Sequence, residues 1–581
     1  MLDLLESLLP HRETSPEERA TQLGRAREIY RYSYQWPPEV AVAAEVPPQD
    51  SYSALYVAAL LPSAWEIFKN TIGLVDLVHE KDGLARFFAE EGHRVPKLAS
   101  SAIGDWYLRV ANDLARYVAS TTPPTVAAYH DLYPGIGLPS VSDKWQSDET
   151  FAWQRIAGVN PTTLTRITRM RDDVRIGEAE YARVLPGRGS LAGALAEGRV
   201  FACDYTFLDG AKTGESFGMK KWLPAPYAVF VADGGKLRPL AVQLGKQAGH
   251  RIVTPVDASL WTIAKLAVQI GDANHHETVA HLGRTHLVME AVALALKRQL
   301  AERHPLHRLL WQHCEYTLPI NHSAATNLIA AGGAIDLTFA GTIETSASFV
   351  KIGLDSFDLG RSSLPIDLAT RGLDDRSVLP ELPYRDDGLP VLGAIRRFVD
   401  RYVRHAYPAD ADVAADSELA AFCAELGASD GGRIRGVVAP ATIDALVELV
   451  TTIVWIGTAQ HAAVNFPQFP FMGYVPNMAG AFWGEWPPKD LDDPNLYATL
   501  LPPYNVAVLQ LHTLYQLSSL RINHLGHYGV TTFFHPAVLE AIAQFKSELA
   551  EIERATRERD ASRYMSYPHL LPSNIPLSIH I

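Results

Sequence analysis

The feature that most constrains the fold of this chain is a run of three histidines at five-residue intervals, His276, His281 and His286. On an α-helix, side chains five residues apart are separated by about 140° around the axis, so they do not share one metal ion readily. A π-type turn with i→i+5 hydrogen bonds brings such side chains nearly into line. The spacing therefore predicts a helix that widens over residues 276–286 and holds a metal from one side.

A second polar pair, His461 and Asn465, lies in a strongly apolar stretch. Its i,i+4 spacing places both side chains on one face of a regular α-helix. A buried histidine and asparagine need polar partners, and a shared metal would provide one. Two simpler interpretations stay open: a single buried histidine could be a hydrogen-bonded core residue, and the five-spaced histidines could lie on a solvated helix in a chain that has 21 histidines.

The donor set limits the metal. The three cysteines, at 203, 314 and 423, have no C-x-x-C spacing, which excludes a disulfide framework, a zinc knuckle and an iron–sulfur cluster. Imidazoles with an amide oxygen suit non-haem iron or manganese. A zinc hydrolase is a weaker hypothesis, because His276-Glu277 is not followed by the second histidine of H-E-x-x-H.

Charge and hydropathy exclude other classes. The net charge of −13 argues against nucleic acid as a partner. The N-terminus lacks signal-peptide features and predicts a short amphipathic helix with Leu4, Leu5, Leu8 and Leu9 on one side. The apolar stretch between Glu448 and His461 is shorter than the about 20 residues that span a bilayer. We expect a soluble, cytoplasmic protein; its oligomeric state is not indicated.

Periodicity indicates a mainly α fold. Apolar residues recur at helical steps in 264–300, 441–464, 505–522 and 537–556. Strands are predicted at 200–208 and in a hairpin formed by 227–232 and 239–244. The Asp-, Pro- and Gly-rich residues 353–395 predict a surface loop. We expect a helical extension over 1–50 and one large domain over 51–581.

These motifs together resemble the lipoxygenase family. The resemblance rests on H-x4-H-x4-H, on H-A-A-V-N, on the final isoleucine, and on FAWQRIAGVNP (151–161), DYTFLDG (204–210), INHSAATNLIAAGGAID (320–336) and YRDDGLPVLGAI (384–395). It implies a large helical lipoxygenase-type catalytic domain with a small β-hairpin subdomain and iron between two long central helices. Fifty residues cannot hold the family's N-terminal β-barrel, so a short form is expected.

The resemblance also implies the roles of particular residues. The expected iron ligands are His281, His286, His461, Asn465 and the carboxylate of Ile581. His276 and Gln468 are expected behind these ligands, where such groups orient them. The non-haem iron would cycle between its ferrous and ferric states; manganese is the less favoured metal.

The implied reaction inserts O2 into the 1,4-pentadiene of a polyunsaturated fatty acid such as linoleate, linolenate or arachidonate. Ala324 occupies the position where the family has alanine in enzymes that make S hydroperoxides. Leu328 and Ile335 are expected to clasp the pentadiene from one helix face, being seven residues apart. Thr338 and Phe339 resemble a pocket floor that favours the 13S product from linoleate.

Two alternatives remain. The same scaffold could isomerise fatty-acid hydroperoxides, or it could bind lipid without catalysis. A transient contact with a membrane surface is also left open.

Overall fold

The computed structural model describes residues 7–489, 493, 495–529 and 531–581. Most of this part of the chain is helical, as predicted. The α-helices are α1 (Pro16–Ile29), α2 (Ala54–Gly73), α3 (Lys81–Arg94), α4 (Ser100–Ala115), α5 (Asp148–Ala157), α6 (Glu178–Val184), α7 (Leu191–Ala196), α8 (Ser259–His275), α9 (Val288–Gln299), α10 (Pro305–Trp311), α11 (Thr317–Asn327), α12 (Ala334–Thr338), α13 (Ile343–Asp355), α14 (Leu364–Thr370), α15 (Pro383–Ala406), α16 (Asp410–Ala414), α17 (Ser417–Gly427), α18 (Ile443–Trp455), α19 (His461–Asn465), α20 (Leu496–Thr499), α21 (Tyr504–Ser519) and α22 (Pro536–Asp560).

The strands form one antiparallel sheet and two short ribbons. They are β1 (Tyr32–Ser33), β2 (Val42–Ala43), β3 (Thr165–Arg166), β4 (Val200–Asp204), β5 (Glu215–Ser216), β6 (Met219–Lys220), β7 (Tyr227–Asp233), β8 (Lys236–Gln243) and β9 (Ile252–Val253). The sheet has the order β3-β4-β7-β8-β9, which confirms the predicted hairpin and the strand at its side. The edge strands β3 and β9 have two residues each, too few to show a period-2 pattern.

Two long helices run through the core. The first is continuous over residues 259–299, because α8 passes through a π segment (His276–Leu287) into α9. This confirms the widening that the histidine spacing predicted. The second runs over Ile443–Met472, is apolar and long enough to cross a bilayer, and has 72% of its most apolar window buried inside the protein. This helix is longer than the apolar stretch between Glu448 and His461 suggested. The burial of its most apolar window is typical of a core helix.

The N-terminal segment packs on the main body. Residues 1–6 of the predicted amphipathic helix lie outside the described residues. The prediction is wrong for Leu8 and Leu9, which precede a 3-10 turn (Pro10–Arg12) in extended backbone. Leu9 is instead buried in the main core, and the Leu8 amide donates to the carbonyl of Arg303 at 2.9 Å. The domain boundary at residue 50 stays a prediction.

The predicted surface loop at 353–395 is wrong at α14, which lies in its first half, and at the start of α15 in its second half. The first turns of α15 are buried, and the side chains of Arg385 and Asp387 are fully enclosed. The Asp387 carboxylate accepts from Arg563 Nη1 at 2.7 Å and from Arg559 Nη2 at 3.0 Å. Polar composition suggested a surface here because these partners lie more than 170 residues away.

Candidate metal centre

Three imidazole rings meet where the two central helices pack together. The Nε2 atoms lie 3.1 Å apart for His461 and His286, 3.2 Å for His286 and His281, and 3.4 Å for His281 and His461. All three side chains are buried. The π segment places His281 and His286 on one side of the first helix, and α19 presents His461 from the second. The predicted convergence of these three histidines is therefore present.

Two of the three rings turn an Nε2 lone pair towards the cluster. His286 Nδ1 lies 2.9 Å from Asn321 Oδ1, and His281 Nδ1 lies 3.3 Å from Glu277 Oε2. Both oxygens accept, so each Nδ1 carries the proton and each Nε2 presents a lone pair. Burial lowers the pKa of His286 to about 3 and holds the pKa of His461 well below its usual value, which keeps these rings neutral. Lone pairs that face one another in a dry site fit a bound cation.

Glu277 and His276 form an overlapping group of possible ligands with His281. Burial favours the protonated Glu277, but His276 and His281 beside it outweigh burial and lower its pKa to about 2. His276 Nε2 bonds the Val464 carbonyl at 2.7 Å, which links the two central helices. His276 thus lies beside the three-histidine cluster, and its role behind the ligands stays a prediction.

The amide of Asn465 is held on both sides. Its Nδ2 donates to the Leu517 carbonyl at 2.8 Å, and its Oδ1 accepts from Gln468 Nε2 at 2.7 Å. Asn465 follows His461 by one helical turn on the same face, as its spacing predicted. Gln468 begins a further π segment (Gln468–Met472), which the spacing of the sequence motifs did not predict. The hydrogen bonds to the Leu517 carbonyl and from Gln468 Nε2 together fix the orientation of the Asn465 amide.

The last residues of the sequence reach the same region. Leu525 N donates to the Ile575 carbonyl at 2.9 Å, and the Ser578 hydroxyl donates to the Glu315 carbonyl at 2.6 Å. The Tyr56 hydroxyl donates to the His580 carbonyl at 2.6 Å. Ile581 is buried and lines a cavity together with His281 and His286.

That cavity has an almost wholly apolar wall, as small-molecule sites usually do. It lies between α2, α4, the π segment and α11. Its lining residues are Tyr52, Tyr56, Leu60, Gly104, Tyr107, Leu108, Glu277, Thr278, His281, Leu282, His286, Ile320, Ala324, Leu328, Ile329, Ile335, Leu517 and Ile581. An apolar chain in it would lie directly against the histidine cluster.

The predicted pocket residues divide into two groups. Ala324, Leu328 and Ile335 line the cavity, whereas Thr338 and Phe339 are buried without being among its lining residues. Leu328 and Ile335 do not share a helix, because α11 ends at Asn327 and the chain turns before α12. The turn nevertheless brings them together, and Ile335 N donates to the Leu328 carbonyl at 3.1 Å.

Sequence reasoning missed several residues of the site. Asn321 and Glu277, which bond the imidazoles of His286 and His281, received no role, although Glu277 stands four residues before His281. The signal was available, since an i,i+4 pair shares a helix face. Tyr52 and Tyr56 come from a distant part of the chain, and no local pattern connects them with the histidines.

Comparisons with known proteins show which family the chain belongs to. The Lipoxygenase family model matches residues 137–567. Linoleate 9/13-lipoxygenase of Pseudomonas aeruginosa is 36% identical over 482 residues, which cover 78% of this chain and 69% of that protein. Hydroperoxide isomerase ALOXE3 of Homo sapiens is 32% identical over 455 residues, which cover 76% of this chain and 63% of that protein.

A solved structure agrees over the whole chain. The anaerobic crystal structure of delta413-417:GS LOX in complex with arachidonate matches with a TM-score of 0.84 at 26% identity, covering 99% of this chain and 83% of that one. The chain belongs to the lipoxygenase family. The predicted family, fold class and enzyme class are confirmed. The chain spans about two thirds of the length of these two curated relatives, 69% and 63%.

Proposed function

We propose that the protein is a non-haem iron dioxygenase that inserts O2 into the 1,4-pentadiene of a polyunsaturated fatty acid. One observation carries this proposal: three buried Nε2 atoms converge within 3.4 Å of one another, and two of their rings form part of the wall of an apolar cavity. This apolar wall suits a hydrocarbon chain.

The proposed ligands are His281, His286, His461, Asn465 and the Ile581 carboxylate. Iron, when bound, would supply the one-electron chemistry that removes a hydrogen atom from the doubly allylic carbon. The protein contributes neutral imidazoles, because burial disfavours their protonated forms. It also contributes a wall that keeps water away from the substrate radical. Manganese accepts the same donor types and is the alternative metal.

We propose that the fatty acid enters with its methyl end first. Among the described residues that line the cavity, none is a lysine or an arginine, and Glu277 carries a negative charge. A carboxylate buried there would have no counter-ion, which is costly. The carboxylate therefore stays towards the cavity mouth while the hydrocarbon lies against the histidines.

The proposed product is an S hydroperoxide, 13S from linoleate. The Ala324 methyl lies on the cavity wall, where it would hinder O2 from one side. Phe339 ends α12, the helix that carries the lining residue Ile335, and its amide donates to the Ile335 carbonyl at 3.0 Å. Phe339→Val should loosen this end of the cavity and shift the position of oxygenation. Unchanged regiochemistry in that variant would remove the support for a floor at Phe339.

The test is incubation of protein of known metal content with linoleate and arachidonate in oxygenated buffer. The expected result is oxygen uptake, conjugated-diene absorbance and a mainly S product by chiral chromatography. Protein with stoichiometric iron that consumes no oxygen with either acid would refute the proposal. Protein that binds fatty acid but carries no metal would support the lipid-binding alternative.

A second candidate function is isomerisation of fatty-acid hydroperoxides. The 32% identity with hydroperoxide isomerase ALOXE3 favours testing it. An isomerase would consume an added hydroperoxide without oxygen uptake, whereas the proposed dioxygenase takes up one O2 for each fatty acid.

A further inference from the structure

Behind the histidine cluster lies a buried carboxylate that the proposed reaction does not use. Glu290 follows His286 by one helical turn on α9, and its side chain is almost completely buried. It is not among the residues that line the cavity, so it does not contact substrate there. Burial raises the pKa of this carboxyl group to about 7. A buried acid in this position requires an explanation.

We propose that Glu290 is a positioning residue that sets the tautomer and ring orientation of His286 through Asn321. The proposal rests on the proposed function, because it assumes that His286 binds the metal through Nε2. Asn321 Nδ2 donates to Glu290 Oε2 at 2.8 Å, and Asn321 Oδ1 accepts from His286 Nδ1 at 2.9 Å. The three side chains form one continuous line of hydrogen bonds that ends at the cluster.

The line has a direction because both Glu290 oxygens accept, Oε1 from the Ala43 amide and Oε2 from Asn321 Nδ2. An acceptor at Glu290 draws the NH2 group of Asn321 towards it, which turns the amide oxygen towards His286. Asn321 Nδ2 also donates to the His286 main-chain carbonyl at 3.0 Å, and this contact favours the same amide orientation. The ring then carries its proton on Nδ1, and the lone pair of Nε2 faces the metal position.

Glu290 is itself held from the far side. Its Oε1 accepts from the main-chain amide of Ala43 at 2.7 Å. Ala43 belongs to β2, so the segment before residue 50 contributes a donor to the network behind the metal centre. The N-terminal segment thereby fixes the carboxylate that in turn fixes Asn321.

The near-isosteric variant Glu290→Gln tests the direction of the line. If the new amide oxygen faces Ala43, its NH2 group opposes the NH2 group of Asn321. If the new amide turns round, its NH2 group opposes the Ala43 amide. If Asn321 turns instead, its oxygen opposes the His286 carbonyl and its NH2 group opposes His286 Nδ1. Every arrangement leaves two buried donors or two buried acceptors facing each other. The last arrangement also moves the His286 ring proton onto Nε2, where it blocks metal binding.

The experiment measures Fe(II) affinity by competition with a chelator, together with the free energy of unfolding in urea and the EPR line shape of the iron-loaded protein after oxidation to Fe(III). We expect Glu290→Gln to weaken Fe(II) binding about 10- to 100-fold, the usual effect of losing a group that orients a ligand. We also expect a changed EPR line shape in the iron that remains. Asp416→Asn is the matched control, because Asp416 is an equally buried carboxylate that bonds His304 and Tyr407 instead. It should lower stability and leave Fe(II) affinity unchanged.

The swapped pair Glu290→Gln with Asn321→Asp makes the test independent of simple misfolding. The amide introduced at position 290 can then donate to the carboxylate introduced at position 321. That carboxylate accepts from His286 Nδ1 and restores the ring tautomer. The double variant should bind Fe(II) more tightly than either single variant, although it loses the bond to the His286 carbonyl.

Two results would overturn the inference: wild-type Fe(II) affinity in Glu290→Gln, or a double variant that binds Fe(II) more weakly than both single variants. Wild-type protein that binds no stoichiometric metal would instead overturn the proposed function. The two failures are therefore distinguishable.

Discussion

Replacing Gln468 by leucine should separate metal binding from overall stability. The change removes the 2.7 Å hydrogen bond from Gln468 Nε2 to Asn465 Oδ1. A single buried bond contributes about 0.5–1.5 kcal/mol net to folding. Gln468 Oε1 is a buried oxygen with no hydrogen-bond partner among the described residues, so its removal offsets part of this loss. The free energy of unfolding should therefore fall by about 1 kcal/mol or less.

Metal affinity should change far more. Asn465 keeps its bond to the Leu517 carbonyl but loses its second contact, so its amide can rotate. Loss of a group that orients a ligand typically weakens metal binding about 10- to 100-fold. Chelator competition with Fe(II) measures this, and urea unfolding of the metal-free protein measures stability.

Gln510→Leu is the control variant that should lower stability without changing Fe(II) affinity. Gln510 Nε2 donates to the carbonyls of Met472 and Met478 at 2.9 and 2.8 Å, and its Oε1 accepts from Gly480 N at 3.2 Å. Three lost bonds should cost about 3 kcal/mol of stability, at about 1 kcal/mol each, with Fe(II) affinity unchanged. The reasoning is refuted if Gln468→Leu keeps wild-type affinity, or if both variants lose affinity in proportion to their loss of stability.

Three further predictions concern stereochemistry, acid stability and metal linkage. Ala324→Gly should shift the product from S towards R, which chiral chromatography reports; an unchanged S product contradicts the role of this methyl. Burial alone would raise the pKa of Asp416, but its hydrogen bonds with His304, Tyr407 and the backbone outweigh burial and hold that pKa below its ordinary value. Its contribution to stability is therefore present above the unfolded-state pKa of about 3.9 and is lost as pH falls through the lower folded-state pKa. Asp416→Asn should flatten the decline in urea midpoint between about pH 5 and pH 3, and an equally steep decline contradicts this. A metal that binds only the folded state stabilises that state by about 2.7 kcal/mol when its free concentration is 100 times its dissociation constant. Adding iron should thus raise the melting temperature of the metal-free wild type but not that of His461→Ala, and an equal rise in both contradicts His461 as a ligand.

The histidine spacing predicted the π segment because the requirement is local. Side chains five residues apart meet at one point only if the helix widens, so the pattern carries its own geometry. The second central helix has no comparable five-residue spacing of histidines, and its π segments at Ile456–Gln460 and Gln468–Met472 were not predicted. Between these two segments, the proposed ligands His461 and Asn465 lie in a regular α turn.

Predictions failed where the partner lies far away in the chain. The residues around Asp387 suggested a surface loop, yet Arg559 and Arg563 neutralise that carboxylate inside the protein. Asn321 was visible in the sequence as part of a family-like motif, but its contact with His286 depends on how α11 packs against the π segment. Local patterns report on one helix at a time, whereas these contacts are set by tertiary packing.

Anomalous diffraction at the iron absorption edge, from crystals of the iron-loaded protein, tests the proposed centre most directly. We predict one strong peak at bonding distance from the Nε2 atoms of His281, His286 and His461 together. A peak held by His276, Glu277 and His281 instead, or no peak in protein that oxygenates linoleate, would contradict the proposed centre.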